Sequence, residues 1–118
     1  MAKAKQLVIK VENIPGSVAA ALAALSSAGV NVTSIFGWAP QGELQVIVDN
    51  PRKAAKALTA AGLSHSKATA DVVKLPNKPG SLHAYLEKLA KKGINLRTIS
   101  GTSSKSARKS VVVWTAGS

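Results

Sequence analysis

The sequence has 118 residues and no cysteine, and 16 Lys+Arg against five Asp+Glu give a formal net charge of +11. This length suits one domain or two very small ones that share a core, and a hydrophobic content of 46% indicates a folded chain. The composition excludes disulfides and thiolate sites, and the apolar runs are too short for a membrane span. With no signal peptide after the N-terminus, we expect a cytoplasmic protein.

The first predicted elements are a strand, a turn and a helix. The β-branched run at residues 7–11 predicts a strand. Asn-Ile-Pro-Gly-Ser at 13–17 ends that strand and opens a helix, which Ser17 can cap through its hydroxyl group. Apolar residues at helical spacing follow, and Gly29 marks the C-terminus of the helix.

Two strands, a second helix and another strand come next. We predict strands at 32–38 and 43–48, joined by a Pro-Gln-Gly turn. Asn50 as N-cap and Pro51 as the first helical residue predict a helix that ends near residue 62. Residues 68–75 must form a strand, which completes the order βαββαβ.

The chain repeats itself at an offset of 64 residues. Residues 13–37 match residues 77–101 without a gap, and eleven of the 25 positions are identical. Both copies contain Asn-x-Pro-Gly-Ser and, farther along, Gly-x-Asn, which chance similarity between alanine-rich helices does not readily supply. The second half therefore repeats helix, strand, strand and ends after an apolar run at residues 110–115.

The repeat predicts an α+β fold of the ferredoxin-like type, βαββαβ followed by αββ. The strand at 68–75 serves both copies, so the first repeat covers residues 1–75 and the second, incomplete repeat covers residues 68–118. We expect an antiparallel sheet with the helices on one face. A bare sheet face and a short second copy also favour a homo-oligomer.

Few residues suit catalysis or metal binding. His65 and His83 have no partner at ligand spacing, and no two of the five acidic residues stand three or four positions apart. General acid–base catalysis needs a positioned pair of titratable groups. We therefore predict a protein that is not an enzyme and that has no metal site and no cofactor.

The βαββαβ order, the Asn-x-Pro-Gly-Ser turns and the Gly-x-Asn pairs together resemble the ACT domain family, and most closely its free-standing tandem members. The resemblance implies a non-catalytic regulatory protein that binds an amino acid or another small carboxylate effector and has a possible regulated enzyme as partner. It places the ligand at the strand–helix loops, beside the second strand of a neighbouring unit. The implied ligand-binding residues are Asn13, Ile14, Pro15, Gly16, Ser17 and Asn31 in the first copy, and Asn77, Lys78, Pro79, Gly80, Ser81, Leu82 and Asn95 in the second.

The sequence departs from this pattern at one place in each copy. ACT domains of the phosphoglycerate dehydrogenase type have a histidine two residues before the first asparagine, where this chain has Val11 and Leu75. The resemblance therefore does not imply serine as the effector. The loops have chemistry of their own, since helix N-terminal amides attract a carboxylate and an asparagine amide both donates and accepts hydrogen bonds.

The basic charge leaves an alternative open. Residues 67–118 carry a net charge of +8, including Lys105, Arg108 and Lys109 in a serine-rich loop, which is typical of a nucleic-acid or other anionic-partner adaptor. The candidate central strands at 7–11 and 43–48 carry no aromatic residue for stacking bases, so we do not expect nucleic acid as the partner. A structural dimerisation module with empty loops is a third interpretation.

Overall fold

The computed structural model describes residues 2–117, which form six strands and three helices. The strand pairs recorded within its two compact units are all antiparallel. The elements follow the predicted order, βαββαβ and then αββ, so the predicted α+β, ferredoxin-like fold is confirmed. The elements are β1 (Ala2–Lys10), α1 (Ser17–Ser27), β2 (Val32–Trp38), β3 (Glu43–Val48), α2 (Pro51–Ala60), β4 (His65–Pro76), α3 (Ser81–Lys91), β5 (Leu96–Thr102) and β6 (Lys109–Ala116).

The first unit comprises residues 5–68 and packs two helices on one face of its strands. Its strands lie in the order β2-β3-β1, with Leu7 opposite Val46 and Ile9 opposite Leu44. Because cross-strand partners point to the same side, these four apolar side chains form one face, and α1 and α2 cover it. The buried cluster consists of Leu7, Ile9, Ala21, Leu25, Val30, Leu44, Val46, Val48, Ala54 and Leu58.

The second unit comprises residues 2–4 and 69–117 and contains one helix, α3. Its strands lie in the order β4-β6-β5, and its buried cluster consists of Val73, Leu89, Val112 and Trp114. The indole Nε1 of Trp114 donates a hydrogen bond of 2.7 Å to the Tyr85 hydroxyl oxygen, which satisfies the polar end of this buried ring.

The second unit has Asp71 where the repeat places Leu7 in the first. Asp71 is 4% exposed, and its Oδ2 accepts a hydrogen bond of 2.9 Å from Nζ of Lys3. The Lys3 ammonium group also lies 5.9 Å from the centroid of the Trp114 ring. A charged residue is compatible with this position because Lys3 pairs with it.

The helix starts include one confirmed prediction and one that is wrong. Asn50 is the N-cap of α2, and its side chain accepts a hydrogen bond from the Lys53 amide, as predicted. α1 instead has Gly16 as its N-cap, and Ser17 is its first helical residue. The Ser17 hydroxyl donates to the carbonyls of Glu12 and Ile14, so it stabilises the β1–α1 loop and does not cap the helix.

The predicted strands differ from the observed ones mainly at their N-terminal ends. β2 and β3 have the predicted bounds, whereas β1 begins at Ala2 and β4 at His65. The early residues of β1 alternate alanine and lysine, which do not favour strands by themselves, so no local pattern predicts this part of the strand. No helix described between residues 2 and 117 is long and apolar enough to cross a membrane.

Candidate functional site

Each repeat contains a strand–helix loop whose last residue is a left-handed glycine. The φ angle is 86° at Gly16 and 87° at Gly80, and open space lies where a Cβ atom would stand in either residue. Steric contact with other residues therefore does not explain these glycines, whereas the backbone conformation does. The two bends start α1 and α3 with the same geometry.

The first turns of α1 and α3 present unpaired backbone amides. Within residues 2–117 the structure records no acceptor for the N–H groups of Val18 and Ala19, or for those of Leu82 and His83 at the equivalent positions. Unpaired amides at a helix N-terminus carry a partial positive charge and attract a carboxylate. Both loops therefore offer the same anion-attracting backbone.

The first opening is a cavity of about 240 Å³ between the β1–α1 loop and the ends of β2 and β3. The strand register brings these segments together, because Glu43 at the start of β3 lies opposite Lys10 of β1 and Trp38 of β2. Nζ of Lys10 lies 3.8 Å from Oε1 of Glu43. The lining consists of Val11, Glu12, Asn13, Ile14, Ser17, Val18, Gly37, Trp38 and Glu43.

A larger cavity of about 550 Å³ lies on the other side of the same loop. It extends from Pro15 and Gly16 to the α2–β4 turn at residues 62–64. The backbone N–H of Lys10 donates a hydrogen bond of 2.9 Å to the Ser64 carbonyl, which holds this turn beside β1. The second unit has no helix equivalent to α2, so this cavity belongs to the first repeat alone.

The second opening is a cavity of about 420 Å³ at the loop between β4 and α3. The Asn77 side chain binds the β5–β6 loop: its Nδ2 donates to the Ser104 carbonyl at 3.0 Å and to the Ala107 carbonyl at 2.9 Å. The lining consists of Leu75, Pro76, Asn77, Lys78, Leu82, Gly101, Thr102, Ser103, Ser110 and Val112. Asn77 thus holds one wall of the cavity as well as lining it.

Asn31 and Asn95 lie far from the openings of their own units. Each asparagine stands just before a seven-residue strand, and the other end of that strand borders the opening. The length of the strand therefore puts about 20 Å between the asparagine and the opening of its own unit. The backbone N–H of Asn31 donates to Asp49 Oδ1 at 3.0 Å, and the side-chain Nδ2 of Asn95 donates to the Gly117 carbonyl at 2.8 Å. Neither asparagine lines the three cavities described above, so a ligand held by both asparagines of a pair would need a neighbouring unit.

The structure brings together some of the sequence-predicted site residues and adds others. Asn13, Ile14 and Ser17 line the first opening, Pro15 and Gly16 the cavity behind it. Asn77, Lys78 and Leu82 line the second opening, whereas Pro79, Gly80 and Ser81 do not. Sequence reasoning missed Glu12 and Glu43 in the first opening and Thr102, Ser103 and Ser110 in the second.

The sequence contains a signal that could have identified some of the lining residues of the first opening. A short Pro-Gln-Gly turn forces the end of β2 and the start of β3 to the same edge, so Trp38 and Glu43 follow from the hairpin. Ser103 and Ser110 lie on either side of a longer loop, whose register no short turn fixes. Among residues 2–117 no group of three or more His, Asp or Glu side chains could hold a metal ion.

No protein-family model and no curated protein matches this chain, but solved structures do. A protein from Bacteroides thetaiotaomicron has a TM-score of 0.86 at 27% identity, covering 98% of this chain and 81% of its own. The regulatory subunit of aspartate kinase from Thermus thermophilus, ligand free, has a TM-score of 0.64 at 20% identity, with 95% and 82% covered. Its counterpart from Thermus flavus has a TM-score of 0.65 at 19% identity, with 95% and 81% covered.

The chain has the ACT-domain fold. The resemblance drawn from the Asn-x-Pro-Gly-Ser turns is thereby confirmed at the level of fold. In this ACT fold the repeated openings are the loops after β1 and β4, which the two glycine bends and the helix N-terminal amides define.

Proposed function

We propose that this ACT-fold chain is a non-catalytic regulatory protein that binds an amino acid or a similar small carboxylate at its strand–helix openings. One observation carries the proposal: the same combination of glycine bend, unpaired helix amides and adjoining cavity occurs twice, at equivalent positions of the repeat. The regulatory subunits of aspartate kinase with the same fold support a regulatory role.

The first opening has groups for both ends of a zwitterion. The unpaired backbone N–H groups of Val18 and Ala19 would donate hydrogen bonds to a carboxylate, and the carboxylates of Glu12 and Glu43 would attract an ammonium group. The Asn13 side chain makes no hydrogen bond that the structure records within residues 2–117, so its amide is free to contact a ligand.

A second copy of the chain would complete the site in this proposal. β2 is an edge strand of the first unit, and its Ile35 and Trp38 are 49% and 51% exposed. Exposed apolar side chains on an unpaired strand edge favour association with another chain. Such a homo-oligomer could bring Asn31 of one copy to the Asn13 loop of another, and ligand binding would then shift association or partner binding.

The structure favours a small ligand over nucleic acid. Between residues 2 and 117 the strands β1, β3 and β4 have no Phe, Trp or Tyr, and Trp114 on β6 is 3% exposed beneath α3. Bases therefore have no stacking platform there, although the cations of the second unit could contact phosphates. Salt-dependent binding of an RNA or DNA oligonucleotide, with no response to amino acids, would support this alternative.

A thermal-shift screen of the twenty amino acids at millimolar concentration tests the proposal. A ligand at a hundred times its Kd stabilises the folded state by about 2.7 kcal/mol, which raises Tm by about ten degrees in a chain of this size. Asn13→Ala should reduce the response to a ligand at the first opening. The matched control is Gln41→Ala, which removes an exposed amide outside the cavities. No shift with any amino acid would contradict the proposal.

A further inference from the structure

The two openings occupy equivalent places in the repeat but differ in the charge of their linings. Glu12 and Glu43 line the first opening. The second has Pro76 at the position of Glu12, and its lining contains no acidic residue. Lys78 lines the second opening at the position that Ile14 occupies in the first. The first opening is thus acidic and the second basic.

Neither acidic residue of the second unit lines the second opening. Asp71 is buried and its Oδ2 accepts the 2.9 Å hydrogen bond from Lys3. Oε1 of Glu87 lies 4.0 Å from Nε2 of His83, one turn away on α3. Within residues 2–117 no ion pair is recorded for Lys78. The positive charge of Lys78 is therefore available to a ligand.

The β5–β6 loop adds three further cations near the second opening. This loop (residues 103–108) is two residues longer than the β2–β3 turn (residues 39–42) and contains Lys105 and Arg108, and Lys109 follows it as the first residue of β6. The Asn77 side chain binds the loop, and the backbone N–H of Asn77 also donates to the Arg108 carbonyl at 2.9 Å. These bonds hold the backbone of the loop beside the cavity, and the positive charges that the loop carries raise the electrostatic potential there.

Three hydroxyl groups complete the second lining. Thr102, Ser103 and Ser110 border the cavity, and their equivalents in the first repeat lie on the short turn or beside Glu43. The Ser110 hydroxyl contacts Asn77 Oδ1 only at 3.5 Å, and the Ser103 hydroxyl contacts the Ser104 carbonyl at 3.4 Å. These bonds are long, so a ligand oxygen could replace them without great loss.

We propose that the second opening selects a small molecule with an anionic group in addition to its α-carboxylate, namely a second carboxylate or a phosphate, and that the first opening rejects it. This inference rests on the proposed function, because it assigns a ligand class to one of the two proposed sites. Lys78 pairs with the added anion, and the hydroxyls of Ser103 and Ser110 donate to it. At the first opening Glu12 and Glu43 repel the same group.

An NMR titration of the full chain separates the two openings. The backbone amides of Thr102 and Ser103 report on the second opening, and the Trp38 indole reports on the first. The probes are L-aspartate, with L-asparagine as its uncharged counterpart, and O-phosphoserine, with L-serine as its counterpart. Inorganic phosphate tests the anion alone. We expect aspartate or O-phosphoserine to bind at the second opening at least about tenfold more tightly than its counterpart, the value of one charge-assisted hydrogen bond.

Two lysine variants with the same charge change supply the control. Lys78→Ala should weaken binding of the anionic probe at the second opening by about tenfold. Lys91→Ala removes the same charge in the last turn of α3, about 16 Å along the helix from its start, and should leave binding within about twofold. A Lys78→Ala spectrum that matches the parent outside the opening shows that the variant is folded.

The outcomes distinguish this inference from the proposed function. Equal affinity for aspartate and asparagine, and for O-phosphoserine and serine, or equal weakening by both variants, overturns the inference and leaves amino-acid binding intact. Preferential movement of the Trp38 indole with the anionic probes also overturns it. If no probe and no amino acid moves any resonance, the proposed function itself fails.

Discussion

Asparagine side chains at equivalent positions perform different tasks in the two repeats. Asn77 donates to two loop carbonyls, whereas Asn13 makes no recorded side-chain bond within residues 2–117. The difference follows from the long β5–β6 loop, which gives Asn77 acceptors that the short β2–β3 turn does not provide for Asn13. A repeated residue therefore has a structural role in one copy and a free amide in the other.

We predict that Asn77→Ala lowers the free energy of unfolding by about 1 kcal/mol, because it removes two hydrogen bonds that are partly open to water. Urea denaturation measures the loss, and faster amide exchange at residues 103–108 should accompany it. Asn13→Ala, the matched control, should leave both quantities unchanged. An equal loss from the two variants would contradict the different roles assigned to them.

The glycine bends give a second prediction at this scale. Gly16→Ala forces an L-residue into the left-handed region at a φ of 86°, which costs about 1–2 kcal/mol of unfolding free energy. Open space around the site leaves backbone strain as the only cause. Gly37→Ala is the control, since its Cβ would meet only Leu44 Cδ1 at 3.6 Å, an ordinary contact. The prediction fails if chemical denaturation finds equal midpoints for both variants.

At the scale of elements, hydrophobic spacing and turn residues predicted much of the fold. β2 and β3 were placed to the residue because a short turn and alternating apolar side chains define them. The early part of β1 and the start of β4 could not be predicted, since Ala-Lys and His-Ser-Lys stretches have no local pattern that favours a strand.

For the candidate site too, local motifs could be read from the sequence, whereas contacts between distant residues could not. The loop residues 13–17 and 77–82 could be proposed from the sequence because their motif is local. The acceptors of Asn77 lie 27 and 30 residues farther along the chain, so no local pattern reveals them. The separation of Asn13 from Asn31 also needed the strand register, which places them at opposite ends of β2.

The cap of α2 gives the prediction at this scale. Asn50→Ala removes the side-chain oxygen that accepts from the Lys53 amide at 3.1 Å, so we expect a loss of about 1 kcal/mol in unfolding free energy. Thr59→Ala in the same helix is the control and should not destabilise, because alanine has the higher helix propensity. Thermal and urea unfolding should agree, and an unchanged midpoint for Asn50→Ala would show that the cap contributes nothing.

At the scale of the whole molecule, charge is the dominant feature. The net charge of +11 is distributed as +3 in residues 1–66 and +8 in residues 67–118. The ion pairs recorded within residues 2–117 involve Lys3, Lys10 and His83, so most lysines have no acidic partner. Such an excess of like charge destabilises the folded state through self-repulsion, and an anionic ligand at the second opening would relieve part of it.

This repulsion predicts an unusual response to salt. Raising NaCl from about 20 mM to about 300 mM shortens the Debye length from roughly 20 Å to below 10 Å, so it should raise the unfolding free energy by a few tenths to about 1 kcal/mol. Lys105→Glu, which lowers the net charge by two in a loop where Lys105 makes no recorded ion pair, should raise stability at low salt and reduce the salt dependence. Urea midpoints at both salt concentrations measure the effect. If salt lowers the midpoint of the parent chain, attraction between opposite charges outweighs repulsion, and the preference of the second opening for anions must come from Lys78 and its neighbouring hydroxyls alone.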